Sequence, residues 1–552
     1  MNVIKPLSAL LVAAMLITVT VVSIPTEDTM EDVTLIDSPY YDADLYRVLF
    51  EYSSGGDLDY QDECYYTDEY FFSPSTEYDQ SLATASLCLS MSAFLSFVGP
   101  VPYGEAYYNV RDLLKNTGFS DFEVNDDFKR EPTVDSIGLA MANKQINDHG
   151  EEYTLVALAI RGSGYGAEWV ENFQMGTGEN SEGHHEGFYN AMNRTLEFVD
   201  SYMIDKGISG DIKFWITGYS RAAAVSNMVA GNIDTSIALG EPVLGGNVSL
   251  LKEDLYAYTF GTPMGVYYDE NSPHPDPRCD YYNNIWNIFN KNDFISKMAM
   301  DAIGFCRYGN DVTVHNTDDD GYESQRDLML EFYMGSDSIA NLEPYVIDDF
   351  VPYMFDFMAL FDGKNPLIVD QFRIDRTQGE VLDSMMDNLT DAIGGRAGYV
   401  NKIETNLCEL LGGLYEYGND YHIAMFLRFM ALYVMDSGED GGEALYITLA
   451  KDLLLGSRYD LADDLYDPVK ASLFICGLIT EEDLLHEKAI VFSRAMASLA
   501  FTLKDDILTD GDCINDVISM VLNFNTIMVA HYPESTLAWL KSGDKNYLMS
   551  YE

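Results

Sequence analysis

The stretch that most restricts this chain runs from residue 212 to residue 230. An apolar run, Ile212-Lys213-Phe214-Trp215-Ile216-Thr217, leads into Gly218-Tyr219-Ser220-Arg221-Ala222, and the small and apolar residues that follow to Ala230 read as a helix. Strand, sharp turn with a serine at its apex, helix: this is the layout of a nucleophile elbow. Strand and helix backbones nearly touch at such a turn, so the positions two before and two after the serine must be small. Gly218 and Ala222 satisfy that requirement. An ordinary strand-to-helix turn containing a serine has the same local signature, so the flanking segments decide.

Those segments alternate. Residues 137–146 and 153–160 read as strands, 187–204 has helical apolar spacing, and 255–260 and 284–290 are further apolar strands. Strands that are apolar throughout and alternate with helices imply a largely parallel sheet covered on both faces. Ligands bind such sheets at the carboxyl ends of the strands, and Ser163, Ser220, Thr262 and Asp293 all fall at or just beyond such ends. Earlier in the chain, residues 25–80 are acidic and tyrosine-rich and read as a leader with little regular structure beyond one strand; 81–97 and 110–117 read as helices. From 325 to 525 strand patterns nearly vanish, and helical segments separated by Gly and Asp clusters predict an all-helical domain inserted into the α/β core.

A serine hydroxyl attacks only when a base takes its proton, and the base is usually a histidine oriented by a carboxylate. On this kind of sheet the chain order is Ser, then Asp, then His. Asp293, beyond the 284–290 strand, is the candidate acid. Of the eight histidines, His149, His184, His185 and His274 precede Asp293 and fail that order. His422 and His486 lie in the helical region, which leaves His315, after the 312–314 strand, and His531 as the candidate bases.

Several of these stretches resemble the class-three lipases. Arg161-Gly162-Ser163 followed by Glu168-Trp169-Val170-Glu171-Asn172 resembles their "RGT…DW..N" signature, and His185-Glu186-Gly187-Phe188 their "H.GF" helix start. Thr259-Phe260-Gly261-Thr262-Pro263-Met264-Gly265 resembles "TFG.PR.G", and residues 287–295 resemble "R.VN..D.VP". The elbow is similar to the "GYSRGGAVAN" of a prokaryotic lipase-like branch, and His531-Tyr532 to a late "H..Y" segment. The resemblance covers roughly 80–315. It implies an α/β-hydrolase core with Ser220 as nucleophile, Asp293 as acid and His531 as base. It also implies an oxyanion hole from Ser163 and the backbone N–H of Arg221, with His185 bracing its helix. Ala222 and Ala223 replace the family's glycine pair. Arg221 replaces an apolar residue and sets a cation beside the nucleophile, which argues against a long-chain lipid substrate.

Ninety acidic against 32 basic residues give a net charge of −58. That excludes a general nucleic-acid binder, which needs a basic face, and disfavours docking on anionic membranes. Residues 1–24 have the shape of a secretory signal, with Lys5 ahead of an apolar run and small residues near a cut at 24; the run is long enough to persist as a membrane anchor. Seven scattered cysteines with no CxxC pair exclude zinc spacing. Residues 316–327 carry oxygen ligands at some EF-hand positions but depart at both ends of the loop. The expected organisation is therefore a signal or anchor (1–24), an acidic leader (25–80), an α/β-hydrolase core (81–324), a lid-like helical insertion (325–525), and a return to the core carrying His531 (526–552). The expected protein is a secreted or surface-anchored serine hydrolase acting on a small-molecule or lipid ester, with no cofactor or metal. A thioester or amide hydrolase and a non-catalytic binding protein on the same shell are the alternatives.

Overall fold

After Thr154 the strand Glu151–Ile160 has no polar side chain, and Thr154 to Ile160 are buried without a break. A strand of that kind needs cover on both faces. The structure, a computed structural model, describes residues 33–53, 59–94, 102–130, 132–162, 166–268, 275–291, 293–298, 301–313, scattered positions from 325 to 393, 394–415 and 530–549.

In chain order the strands used below are β1 (Val33–Ile36), β2 (Leu45–Ser53), β3 (Asp59–Tyr66), β4 (Ser120–Val124), β5 (Leu139–Asp148), β6 (Glu151–Ile160), β7 (Ser209–Tyr219), β8 (Asn247–Ser249), β9 (Leu255–Phe260), β10 (Val266–Tyr267), β11 (Ile285–Phe289), β12 (Phe305–Cys306) and β13 (Asn310–Thr313). The helices are α1 (Gln80–Ser92), α2 (Pro102–Asn116), α3 (Glu186–Asp205), α4 (Arg221–Leu239), α5 (Gly395–Tyr399), α6 (Thr405–Tyr415) and α7 (Pro533–Gly543).

The central sheet has the order β13-β11-β9-β7-β6-β5-β4, with β8 beside the start of β7. From β6 to β13 the neighbours are parallel, while β5 and β4 add antiparallel partners at one edge. Alternation along each strand divides the core. Leu155, Ala157, Ala159, Trp215 and Tyr258 face α1, α2 and α7. Val156, Leu158, Ile160, Phe214 and Ile216 face α3 and α4. This is an α/β fold with a mixed, mostly parallel sheet. One charged side chain breaks the apolar run of β7: Lys213 is buried, but its Nζ donates to Phe71 O (2.6 Å) and pairs with Asp148 (3.1 Å) and Asp254 (3.2 Å).

Residues 33–66 differ from the irregular leader expected. They form an antiparallel sheet, β1-β2-β3. The reason is a period of two in which Val48, Phe50 and Tyr52 point inward with Cys64 and Tyr66 and join the core over α1, while Arg47, Leu49 and Glu51 alternate outward. Glu51 and Glu63 fall on the outer side of this strand pattern, while Asp62 shares the face of Cys64 and pairs with Lys541 (2.6 Å).

Backbone contacts divide the chain into Val33–Tyr421 with Arg494–Glu552, and Met1–Asp32 with His422–Ser493. All described residues belong to the first unit; the signal-like run at 1–24 and most of the expected helical insertion lie outside them. Between 325 and 415 every described residue is helical except the turn at Gly394. There Arg396 donates to Gly176 O (2.8 Å) and Met175 O (2.6 Å), and Tyr399 OH donates to Phe173 O (2.9 Å). No described helix is long and apolar enough to cross a membrane.

Trp215 ties the sheet to both layers above it. It packs 5.4 Å from the Phe71 ring, and its Nε1 donates to Ser86 Oγ at 2.8 Å. Trp215→Ala is expected to cost about 3–5 kcal/mol, read as a lower urea midpoint; an unchanged midpoint would contradict this packing.

Candidate active site

Strand β7 ends at Tyr219, and helix α4 begins at Arg221. The one residue between them, Ser220, has φ 60° and ψ −127°. A non-glycine residue there carries about 1–3 kcal/mol of backbone strain. Two contacts hold it: Ser220 N–H donates to Phe260 O on the neighbouring strand (2.8 Å), and Gly218 lets α4 approach. A Cβ on Gly218 would stand 2.5 Å from Ala222 O and from Ser226 Oγ, so the small-residue requirement read in the sequence is a steric one.

Asp293 follows β11 and is 1 % exposed. Its Oδ1 accepts from Ile295 N (2.8 Å), and its backbone O accepts from Ser296 Oγ (2.7 Å). Arg307 braces this loop, donating from Nη1 to Ser296 O (2.6 Å) and Thr262 O (2.9 Å).

His531 stands just before α7. Its Nδ1 lies 2.8 Å from Asp293 Oδ2 and its Nε2 lies 2.9 Å from Ser220 Oγ. With the carboxylate accepting from Nδ1–H, Nε2 is left as the acceptor facing the serine hydroxyl. This arrangement can move a proton from Oγ to the ring while the carboxylate stabilises the imidazolium formed. Gly261 makes room for it. At φ +55° its position is open to glycine, and a Cβ there would sit 3.0 Å from His531 Cε1 and 3.3 Å from Asp293 Oδ2.

Of the residues singled out in the sequence, Ser220, Asp293 and His531 thus meet in one hydrogen-bonded chain. Ser163 and His315 lie outside the described residues, as do residues 316–324 and 326 of the calcium-like loop. Among the described residues no group of three or more His, Cys, Asp or Glu is arranged to hold a metal. Arg221 begins α4, so its backbone N–H is one of the donors without an intrahelical partner.

The Arg221 side chain does not stand open beside the serine, as its sequence position suggested. It is 1 % exposed and paired with Glu171 Oε2, with Glu168 Oε2 3.8 Å away. Glu168 also pairs with Arg161 and accepts from Ser136 Oγ (2.8 Å); Glu171 accepts from Arg194 Nη2 on both oxygens at 3.0 Å. Burial raises the Glu171 carboxyl, against the pull of Arg221 and Arg194. Gly261, Glu168 and Glu171 had no role assigned from the sequence. The i, i+3 spacing of the two glutamates on the turn Gly166–Phe173 is the signal that places both beside a buried arginine.

His185 caps α3. Its Nδ1 accepts from Phe188 N (3.5 Å), its Nε2 lies 3.2 Å from Asn172 O, and its ring stacks on Phe188 at 4.0 Å.

No protein-family model matches the chain, and no curated protein matches its sequence. Among solved structures it is similar to the crystal structure of M37 lipase, at 16% identity and a TM-score of 0.25, over 40% of this chain and 70% of that one.

His185 supplies a pH test of the surrounding packing. Burial pushes its pKa from 6.5 down to about 3. Below about pH 6.5 the unfolded chain takes up a proton that the folded chain refuses until about pH 3. This contribution is complete above pH 6.5 and is lost as pH falls through that window. His185→Gln is expected to flatten the acid limb of the stability–pH curve measured by urea unfolding; an unaltered slope would show that His185 is not held neutral.

Proposed function

We propose that this protein is a serine hydrolase of the α/β-hydrolase type that cleaves acyl esters of small molecules or lipids through an acyl-enzyme. The observation that supports this reading is the unbroken chain Ser220 Oγ–His531–Asp293, with the serine at a strained apex between strand and helix. Ser220 Oγ attacks the carbonyl carbon while His531 Nε2 takes its proton. The oxygen that becomes negative accepts from Arg221 N–H and, on the family resemblance, from Ser163; such donors often contribute the largest single share of rate enhancement. Collapse breaks the ester bond, and the proton on Nε2 passes to the leaving alcohol. Water, deprotonated by the same nitrogen, then releases the acid and frees Ser220. Asp293 holds the ring and offsets its charge throughout. The apolar run at 7–24 supports export or surface anchoring, and the net charge of −58 supports a partner other than nucleic acid.

A fluorophosphonate probe is expected to label Ser220, read by peptide mass spectrometry. On a short-to-long acyl ester series, Ser220→Ala and His531→Ala are each expected to lose about ten-thousand-fold or more in kcat, with His315→Ala near wild type. Folded protein that neither labels nor turns over esters would point to a binding protein. Full activity in His531→Ala with loss in His315→Ala would move the base, and preference for thioesters or amides over esters would change the substrate class.

A further inference from the structure

The proposed chemistry uses the backbone of Arg221 and leaves its side chain without a role. Yet guanidinium and backbone N–H belong to one residue, the first of α4. The guanidinium sits in a row of charges, Arg161–Glu168–Arg221–Glu171–Arg194, in which the side chains of Arg161, Glu168, Arg221 and Glu171 are 0, 1, 1 and 3 % exposed. Burying ion pairs is costly, and an apolar set of the same volume is often at least as stable. Stability is therefore a poor account of this row. What it does is mechanical. Arg161 stands at the end of β6, both glutamates come from the turn Gly166–Phe173, and Arg221 starts the elbow helix. The turn is itself pressed from behind, since a Cβ on Gly187 would lie 2.1 Å from Glu171 O. The backbone that carries Glu171 is therefore packed directly against the start of α3.

We infer that the Arg221 guanidinium, hydrogen-bonded to Glu171 and 3.8 Å from Glu168, is a positioning group that fixes its own residue's backbone N–H toward the oxyanion of the tetrahedral intermediate. The inference rests on the proposed function. An oxyanion donor works only at hydrogen-bond distance from where the charge develops, and losing one costs about 10²–10³ in kcat. Loosening one costs part of that, and costs it in the transition state, where the charge exists.

The test removes the charges while keeping the volume. The double variant Arg221→Met/Glu171→Met is expected to fold with a urea midpoint at or above that of wild type. Its kcat on a short acyl ester is expected to fall about 10–100-fold with KM within about two-fold. Inhibition by an alkylboronic acid, whose tetrahedral adduct carries the negative charge, is expected to weaken by the same factor. A merely structural role predicts wild-type kcat once stability is kept, and that result overturns the inference. Should the double variant fail to fold, Glu171→Gln keeps the shape and loses the charge: a several-fold fall in kcat at constant KM supports the clamp, and wild-type kcat overturns it. Wild-type protein that neither labels with fluorophosphonate nor hydrolyses esters overturns the underlying reading and this inference with it; an active wild type with indifferent variants overturns this inference alone.

Discussion

His531 reaches Ser220 because helix α7 is buried against helix α1. Ten residues of α7, from Pro533 to Ser542, are withdrawn from solvent. The contact is locked by polar groups at one end: Gln80 Nε2 donates to Leu540 O at 2.8 Å and Ser81 Oγ to Asp544 Oδ1 at 2.8 Å. His531 stands just before the opposite, equally buried end of α7. Helix α1 in turn lies on β7, the strand that carries the serine, through Ser90 and Thr217 (2.6 Å) and through Trp215 and Ser86 (2.8 Å). The relation of ring to hydroxyl is thus set by two packed layers rather than by the loop that joins them.

The same economy of support holds around the acid. Asn287, on the strand before Asp293, accepts from Asn227 Nδ2 (2.8 Å) and Thr259 Oγ1 (2.7 Å) and donates to Tyr308 O (2.8 Å). Arg307 continues this network into the loop itself. Buried polar groups of this kind are stabilising only when satisfied, and their mutual satisfaction leaves the loop one arrangement.

What the sequence made legible follows from the range of the interactions. Strand runs such as 153–160 and 255–260 are local apolar patterns, and the structure has them within a residue or two. Gly218 and Ala222 were legible because the elbow imposes its steric rule within five residues. His531 was reached by chain order and by resemblance, since no local property distinguishes a base from its acid 238 residues away. The stretch 33–66 was read as one strand at most, because acidic and tyrosine-rich composition hid the period of two that makes it three. Arg221 was misread for a different reason. The sequence sets a cation beside the nucleophile, and only folding brings Glu171, 50 residues earlier, within reach to bury and pair it.

Ser220 and His531 are separated by 311 residues of chain. A ribosome making this protein therefore completes the sheet, the elbow and the acid loop long before it reaches the ring that joins them. Sheet formation depends on pairings already present in that nascent portion, whereas the site closes only when α7 finds α1, a contact between residues 460 apart in the chain and of the non-local kind that slows folding. An incompletely synthesised chain can hold every strand of the central sheet and still lack the group to which Ser220 Oγ–H is hydrogen-bonded.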